Sequence, residues 1–244
     1  MTTPPPVTSP STGAPATRRR SATSRYWKVP TGLILLSLVP VLAGAMRLTE
    51  LTVGAEITDA NARFFASPAP VLVHIVTASV YSVLGAFQFV PSLRRGRRRW
   101  HRLSGRLLAP LGLLAALSGV WMTLFYSPPD GVNVGLFVLR LVFGLAMAAS
   151  IVLGVLAVLH RDIGRHSAWM TRAYAIGLGA GTQVITNLPW LLVLGPPSKN
   201  EFAFLMAAGW VINVAVAELV IRRRRRPRPA SRTSVRPPAV TSSI

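Results

Sequence analysis

The amino-acid sequence predicts an all-α, polytopic transmembrane bundle of six spans with both termini cytoplasmic. Three observations carry that reading. Of 244 residues, 51% are hydrophobic and only 14% charged, against about 25% charged in a soluble domain, and the mean hydropathy is +0.46. The apolar residues gather in blocks close to the roughly 20 residues that a helix needs to cross a bilayer core of about 30 Å. The basic residues behind the net charge of +20 fall on every second connection between blocks. Lipid offers no water to backbone amides, so each block should be a helix, with its amides paired internally.

Residues 1–29 read as a basic, Pro/Ser/Thr-rich tail too poor in large apolar side chains to order itself. The membrane domain covers residues 30–221, with spans at Pro30–Met46, Pro70–Val90, Leu107–Tyr126, Val134–Leu159, Ala173–Leu194 and Phe202–Ile221. The first block is short, follows arginines and ends Ala43-Gly44-Ala45, so it also resembles a signal peptide. Its cleavage would leave five spans in the same orientation. The connection Arg47–Ala69 carries Phe64-Phe65 and is expected on the membrane surface or as a cap on the bundle. The breaker-rich turns 127–133 and 195–200 predict two tight antiparallel hairpins. Pro40, Pro110 and Pro189 are expected to kink their spans, and Gly177, Gly179 and Gly181 to allow close helix approach. Residues 222–244 form a second, arginine-rich tail expected to be disordered.

Of the 27 basic residues, 23 lie in the two tails and in the connections after spans two and four. The other side holds Arg47, Arg63 and Lys199 with five of the seven acids. That is the positive-inside bias. It accounts for the arginines better than nucleic acid does, since a nucleic-acid module places its basic face on a folded domain, often with stacking aromatics. The expected partners are the bilayer and anionic lipids at the arginine-rich loops, with a homo-oligomer or a membrane-complex partner on the small-residue faces.

Only Arg140 and Glu218 are charged within the spans. At a rise of 1.5 Å per residue, His74, Arg140 and Asn187 lie about 6, 9 and 10 Å below the acidic side, with Gln183 one turn deeper. These four are candidate ligand-binding residues. Arg140 has no acid at its level and either meets an acceptor inside the bundle or snorkels to the headgroups. Glu218 has Arg222 at i+4 as its natural partner. Toward the arginine-rich side, His101, His160 and His166 are candidate cofactor-binding residues. His101 and His166 match in height, as an axial haem pair requires. Together with His160 and Asp162 they also supply enough donors for zinc, though not at a recognised zinc spacing. Interfacial histidines that only hydrogen-bond carbonyls or phosphates remain the plain alternative. No cysteine is present, and no catalytic triad, phosphate loop or carboxylate pair appears. Hydrolase and nucleotide-driven readings therefore lack residues.

The stretch from His74 to Phe89, the segment Trp100-His-Arg-Leu-Ser-Gly-Arg106 and the segment His166-Ser-Ala-Trp-Met-Thr-Arg172 resemble a bacterial family known as domain of unknown function 2306. The resemblance covers about residues 30–220 and implies a multi-helix fold in a bacterial cytoplasmic membrane, with no established activity. Members often carry an arginine in span five where this chain has Gln183. The first reading is a redox protein binding haem b or a quinone through histidines; the alternatives are a transporter or sensor of a small solute, and a structural partner in a membrane complex.

Overall fold

A computed structural model describes residues 20–90, 93, 96, 98–128 and 131–225, with the side chains of 20–26 and 98 outside the description. Residues 1–19 and 226–244, the greater part of both expected tails, lie outside the described residues. Among the described residues, eight α-helices and one 3-10 turn are bounded: α1 Arg20–Val53, α2 Ala62–Ala66, α3 Pro68–Ala86, the turn Phe87–Phe89, α4 Arg98–Phe125, α5 Val134–Leu159, α6 Ile163–Gly177, α7 Gly179–Leu194 and α8 Lys199–Arg225. No strand occurs among the described residues. Among the described residues, five helices are long and apolar enough to span a membrane, and a sixth span results if α6 and α7, which meet at a 41° bend, are taken together. This is a multi-pass membrane protein.

The helix ends follow from local chemistry. Gly54, at φ +69, turns the chain out of α1 in the left-handed conformation glycine favours. The Ala55 amide then donates back to Glu50 O at 3.0 Å. Pro68 opens α3 where a missing amide costs nothing. Asn133 caps α5 by accepting from the Leu136 amide at 2.8 Å, and Asp162 caps α6 from the Arg165 amide at 2.9 Å.

Four helices reach further than expected, among them α8, which runs on to Arg225 through the first four residues of the expected C-terminal tail. α1 begins at Arg20, α4 at Arg98 and α6 at Ile163, ahead of Pro30, Leu107 and Ala173. The motif segments around His101 and His166, read as connections, are therefore helical. Hydropathy marks where lipid begins, whereas a helix continues while its amides are paired and arginines face headgroups. The prolines do not end their helices, since Pro40, Pro110 and Pro189 all lie inside continuous segments. The interruption falls instead at Leu178, between glycines.

The spans close into a ring in the order α1–α3–α4–α5–α8–α7, each packed on the next. Both expected hairpins, α4–α5 and α7–α8, are neighbours in it. α6 packs against α3, α4, α5 and α8 and so fills the centre at the arginine-rich end. There Tyr81, Leu108, Ile151, Ala173 and Tyr174 form the core. Glycines let the aromatics in: a Cβ on Gly112 would stand 2.5 Å from the Tyr81 ring, and one on Gly85 would overlap Tyr174. At Leu178 the chain leaves the centre, and α7 takes its place on the rim between α1 and α8. Past that point nothing fills the middle.

Candidate functional site

The unfilled middle is a cavity of about 750 Å³ opening at the acidic end, lined by residues from all eight helices. Its rim combines α2, the α4–α5 turn and the start of α8. Arg63 lies against the Phe64 ring, 4.7 Å from its centroid, and Arg47 lies against the same ring at 4.7 Å. Phe64 meets Tyr126 edge-on at 5.4 Å, and the Tyr126 hydroxyl donates to Ser67 O at 2.5 Å. Asn133 Nδ2 donates to Lys199 O and to Asn200 Oδ1, both at 3.2 Å, tying the two hairpin ends together. These contacts hold Arg63, Asn133 and Lys199 around one opening.

Three of the four candidate ligand residues line this cavity: His74, Arg140 and Gln183. His74 Nδ1 stands 2.9 Å from Ala115 O and 3.2 Å from Ser118 Oγ. A carbonyl only accepts, so Nδ1 carries the proton and Nε2 of the neutral ring is left as an acceptor. Gln183 is buried and donates from Nε2 to Met206 O at 3.1 Å. Arg140 is exposed at the cavity wall. Its guanidinium has no hydrogen-bond or ion-pair acceptor among the described residues, and its charged neighbour is Arg63. No Asp or Glu among the described residues lines the cavity.

Asn187 stands apart. It lines a smaller crevice with Val184, Leu188, Leu191, Pro197 and Phe202. Its Nδ2 donates to Gln183 O at 2.8 Å, while Oδ1 is buried without a partner. Asn187 therefore does not serve as an acceptor for Arg140.

The remaining histidines are distributed along the arginine-rich end, and none of them lines either cavity. His166 Nδ1 pairs with Gly154 O at 2.8 Å, fastening α6 to α5. His160 is exposed at the C-terminal cap of α5, and His101 is half-buried near the start of α4. No three His, Asp or Glu side chains among the described residues come close enough to hold a metal ion, so the zinc arrangement does not assemble.

The motif segments act as fasteners. Gly154 on α5 receives Met170, whose sulfur would lie 2.7 Å from a Cβ there. Arg172 stacks on Trp169 at 4.6 Å and forms a two-point ion pair with Glu218 on α8, Nε to Oε1 at 2.5 Å and Nη2 to Oε2 at 3.1 Å. Glu218 is therefore paired across helices with Arg172, where spacing predicts Arg222. Gln88 Nε2 donates to Ser104 Oγ at 2.6 Å, joining the turn after α3 to α4.

Sequence reasoning missed Arg63, Asn133 and Lys199, which lie in connections where depth along a span says nothing. The one available signal was the aromatic pair Phe64-Phe65 beside Arg63 on a long connection.

A ring of apolar helices around a polar-mouthed cavity defines the class: a polytopic α-helical membrane protein with an internal cavity. The chain belongs to the family of predicted membrane proteins DUF2306, which matches residues 71–221. No curated protein and no solved structure matches the chain.

Proposed function

We propose that the protein binds a small anionic or polar solute in the central cavity, as a transporter or sensor. The observation that carries this reading is a cavity lined by Arg63, Arg140 and Lys199 with no carboxylate contributed by the described residues. A guanidinium at membrane depth costs several kcal/mol or more unless it is paired or hydrated. An anion would provide the missing acceptors in charge-assisted hydrogen bonds, with His74 Nε2 as an acceptor for a ligand hydroxyl. A broken span beside the cavity fits the reading, because many transporters build midplane sites from discontinuous helices.

By the positive-inside bias, we assign the arginine-rich end and both termini to the cytoplasm of a bacterial cell, with the cavity opening outward. Anionic lipids would then meet the arginine-rich connections, at about 1 kcal/mol per basic residue. Haem or quinone binding through His101, His160 and His166 stands second, since none of the three lines a cavity.

A thermal-shift screen of the purified protein against inorganic and organic anions tests the proposal. A ligand at 100 times its Kd stabilises by about 2.7 kcal/mol, enough to raise Tm visibly. The shift should vanish in Arg140→Ala and shrink in His74→Ala. Identical shifts in wild type and both variants would sink the reading, and a Soret band in the purified protein would restore the haem alternative.

A further inference from the structure

The cavity changes chemistry with depth. Among the described residues, its charged lining sits toward the open end: Arg63 on α2, Lys199 at the first residue of α8, and Arg140 less than two turns into α5. Below them the wall is largely apolar, formed by Tyr81, Phe143, Met147, Ile176, Leu178 and Trp210, with Phe143 and Trp210 stacked at 4.8 Å. Most of these floor residues are themselves buried, and Gln183 Nε2 beside them is bound to Met206 O.

Two quantities bear on what fills such a space. Arg63 Nη1 is buried without a hydrogen-bond partner although its guanidinium is already seated on Phe64, so the mouth has a preset, unused donor. The volume of about 750 Å³ lies within the roughly 300–1,000 Å³ of pockets that enclose drug-sized molecules. A bare inorganic ion at the arginines would leave the apolar floor vacant, and apolar cavities stay dry and take apolar guests.

Building on the anion reading above, we infer that the ligand is an amphiphilic anion: one carboxylate or phosphate head carried on a single apolar chain. The head lies between Arg63 and Arg140, and the chain runs down against Phe143, Met147 and Trp210. The arginines select for charge, and the floor selects for chain length.

The full-length protein in phosphatidylcholine nanodiscs is titrated with dodecyl phosphate, dodecanol and inorganic phosphate. Dodecyl phosphate should bind saturably, with the other two at least about tenfold weaker, since each lacks one half of the recognition. Arg63→Gln and Arg140→Gln should each weaken dodecyl phosphate by about tenfold, the loss of one charge-assisted bond. Arg140→Lys, which keeps the charge, should restore most of the affinity and shows that the site is folded. Dodecanoate brominated at its terminal carbon should quench tryptophan fluorescence, and Trp210→Phe should remove most of the quenching. Inorganic phosphate binding as tightly as dodecyl phosphate, with the same arginine dependence, overturns the amphiphile and leaves the anion site standing. Dodecanol matching dodecyl phosphate with neither arginine mattering, or no saturable binding at all, overturns both.

Discussion

Arg172 shows how much one side chain decides here. It stacks on Trp169 of its own helix and reaches Glu218 of α8 in a two-point pair, with both side chains partly exposed. Planar guanidinium–carboxylate geometry makes such pairs stronger than point-charge contacts, but partial exposure limits the gain. In a double-mutant cycle with Arg172→Ala and Glu218→Gln, we expect a coupling of about 0.5–1 kcal/mol, falling as salt is added. Gly181 carries the opposite lesson, since its importance lies in having no side chain. A Cβ there would overlap the backbone carbonyl of Leu36 on α1, an atom that cannot swing aside. Gly181→Val should cost about 1–3 kcal/mol by forcing α1 from α7, read as a lowered Tm in detergent. Gly32, with open space around it, is the control: Gly32→Ala should leave Tm unchanged or raise it, by about the helix-propensity difference.

Among the elements, the broken span matters most. The run Gly177-Leu-Gly-Ala-Gly181 carries both close packing and a 41° bend, and α8 bridges the gap with side chains. Asn213 donates to Ala175 O at 3.0 Å, on the α6 side, and accepts from Thr182 Oγ1 at 2.7 Å, on the α7 side. Thr186 adds a bond to Leu205 O at 2.9 Å. Hydrogen bonds between membrane helices contribute on average about 0.6 kcal/mol each, so Asn213→Ala should cost on the order of 1 kcal/mol. Its clearer signature is local. Amide exchange should quicken across residues 175–183 while α3 and α4 remain protected, because the variant frees the break and leaves the ring intact. Uniform acceleration through the bundle would show that Asn213 supports the whole fold instead of this joint.

Over the whole molecule, the ring and its half-filled interior follow from one detour. α6 occupies the centre and α7 the rim, so the same span supplies the core at one end and leaves the cavity at the other. Topology is testable directly because the chain has no cysteine, and each introduced thiol is then the only one. With the arginine-rich end in the cytoplasm, Ser198→Cys should react with a membrane-impermeant maleimide on intact cells. Leu103→Cys, on the exposed outer face near the start of α4, should react only after lysis. The reverse pattern would invert the bundle and place the cavity inside the cell.

Five or six apolar blocks, their helical state and the segregation of basic residues are legible along the chain, because lipid forces each block to satisfy its own backbone. The sequence also placed His74, Arg140 and Gln183 at adjacent depths, since rise per residue is fixed. Rotation about the helix axis is not fixed in that way. Packing sets that rotation: it turns Asn187, four residues from Gln183, into a different crevice, pairs Glu218 with Arg172, and brings Arg63 to the mouth from a connection. The break at Leu178 belongs to the same group. A glycine run permits both close packing and a bend, and the aromatic side chains of Tyr81 and Trp210 pressing on Gly177 and Gly179 are neighbours that lie far away in the sequence.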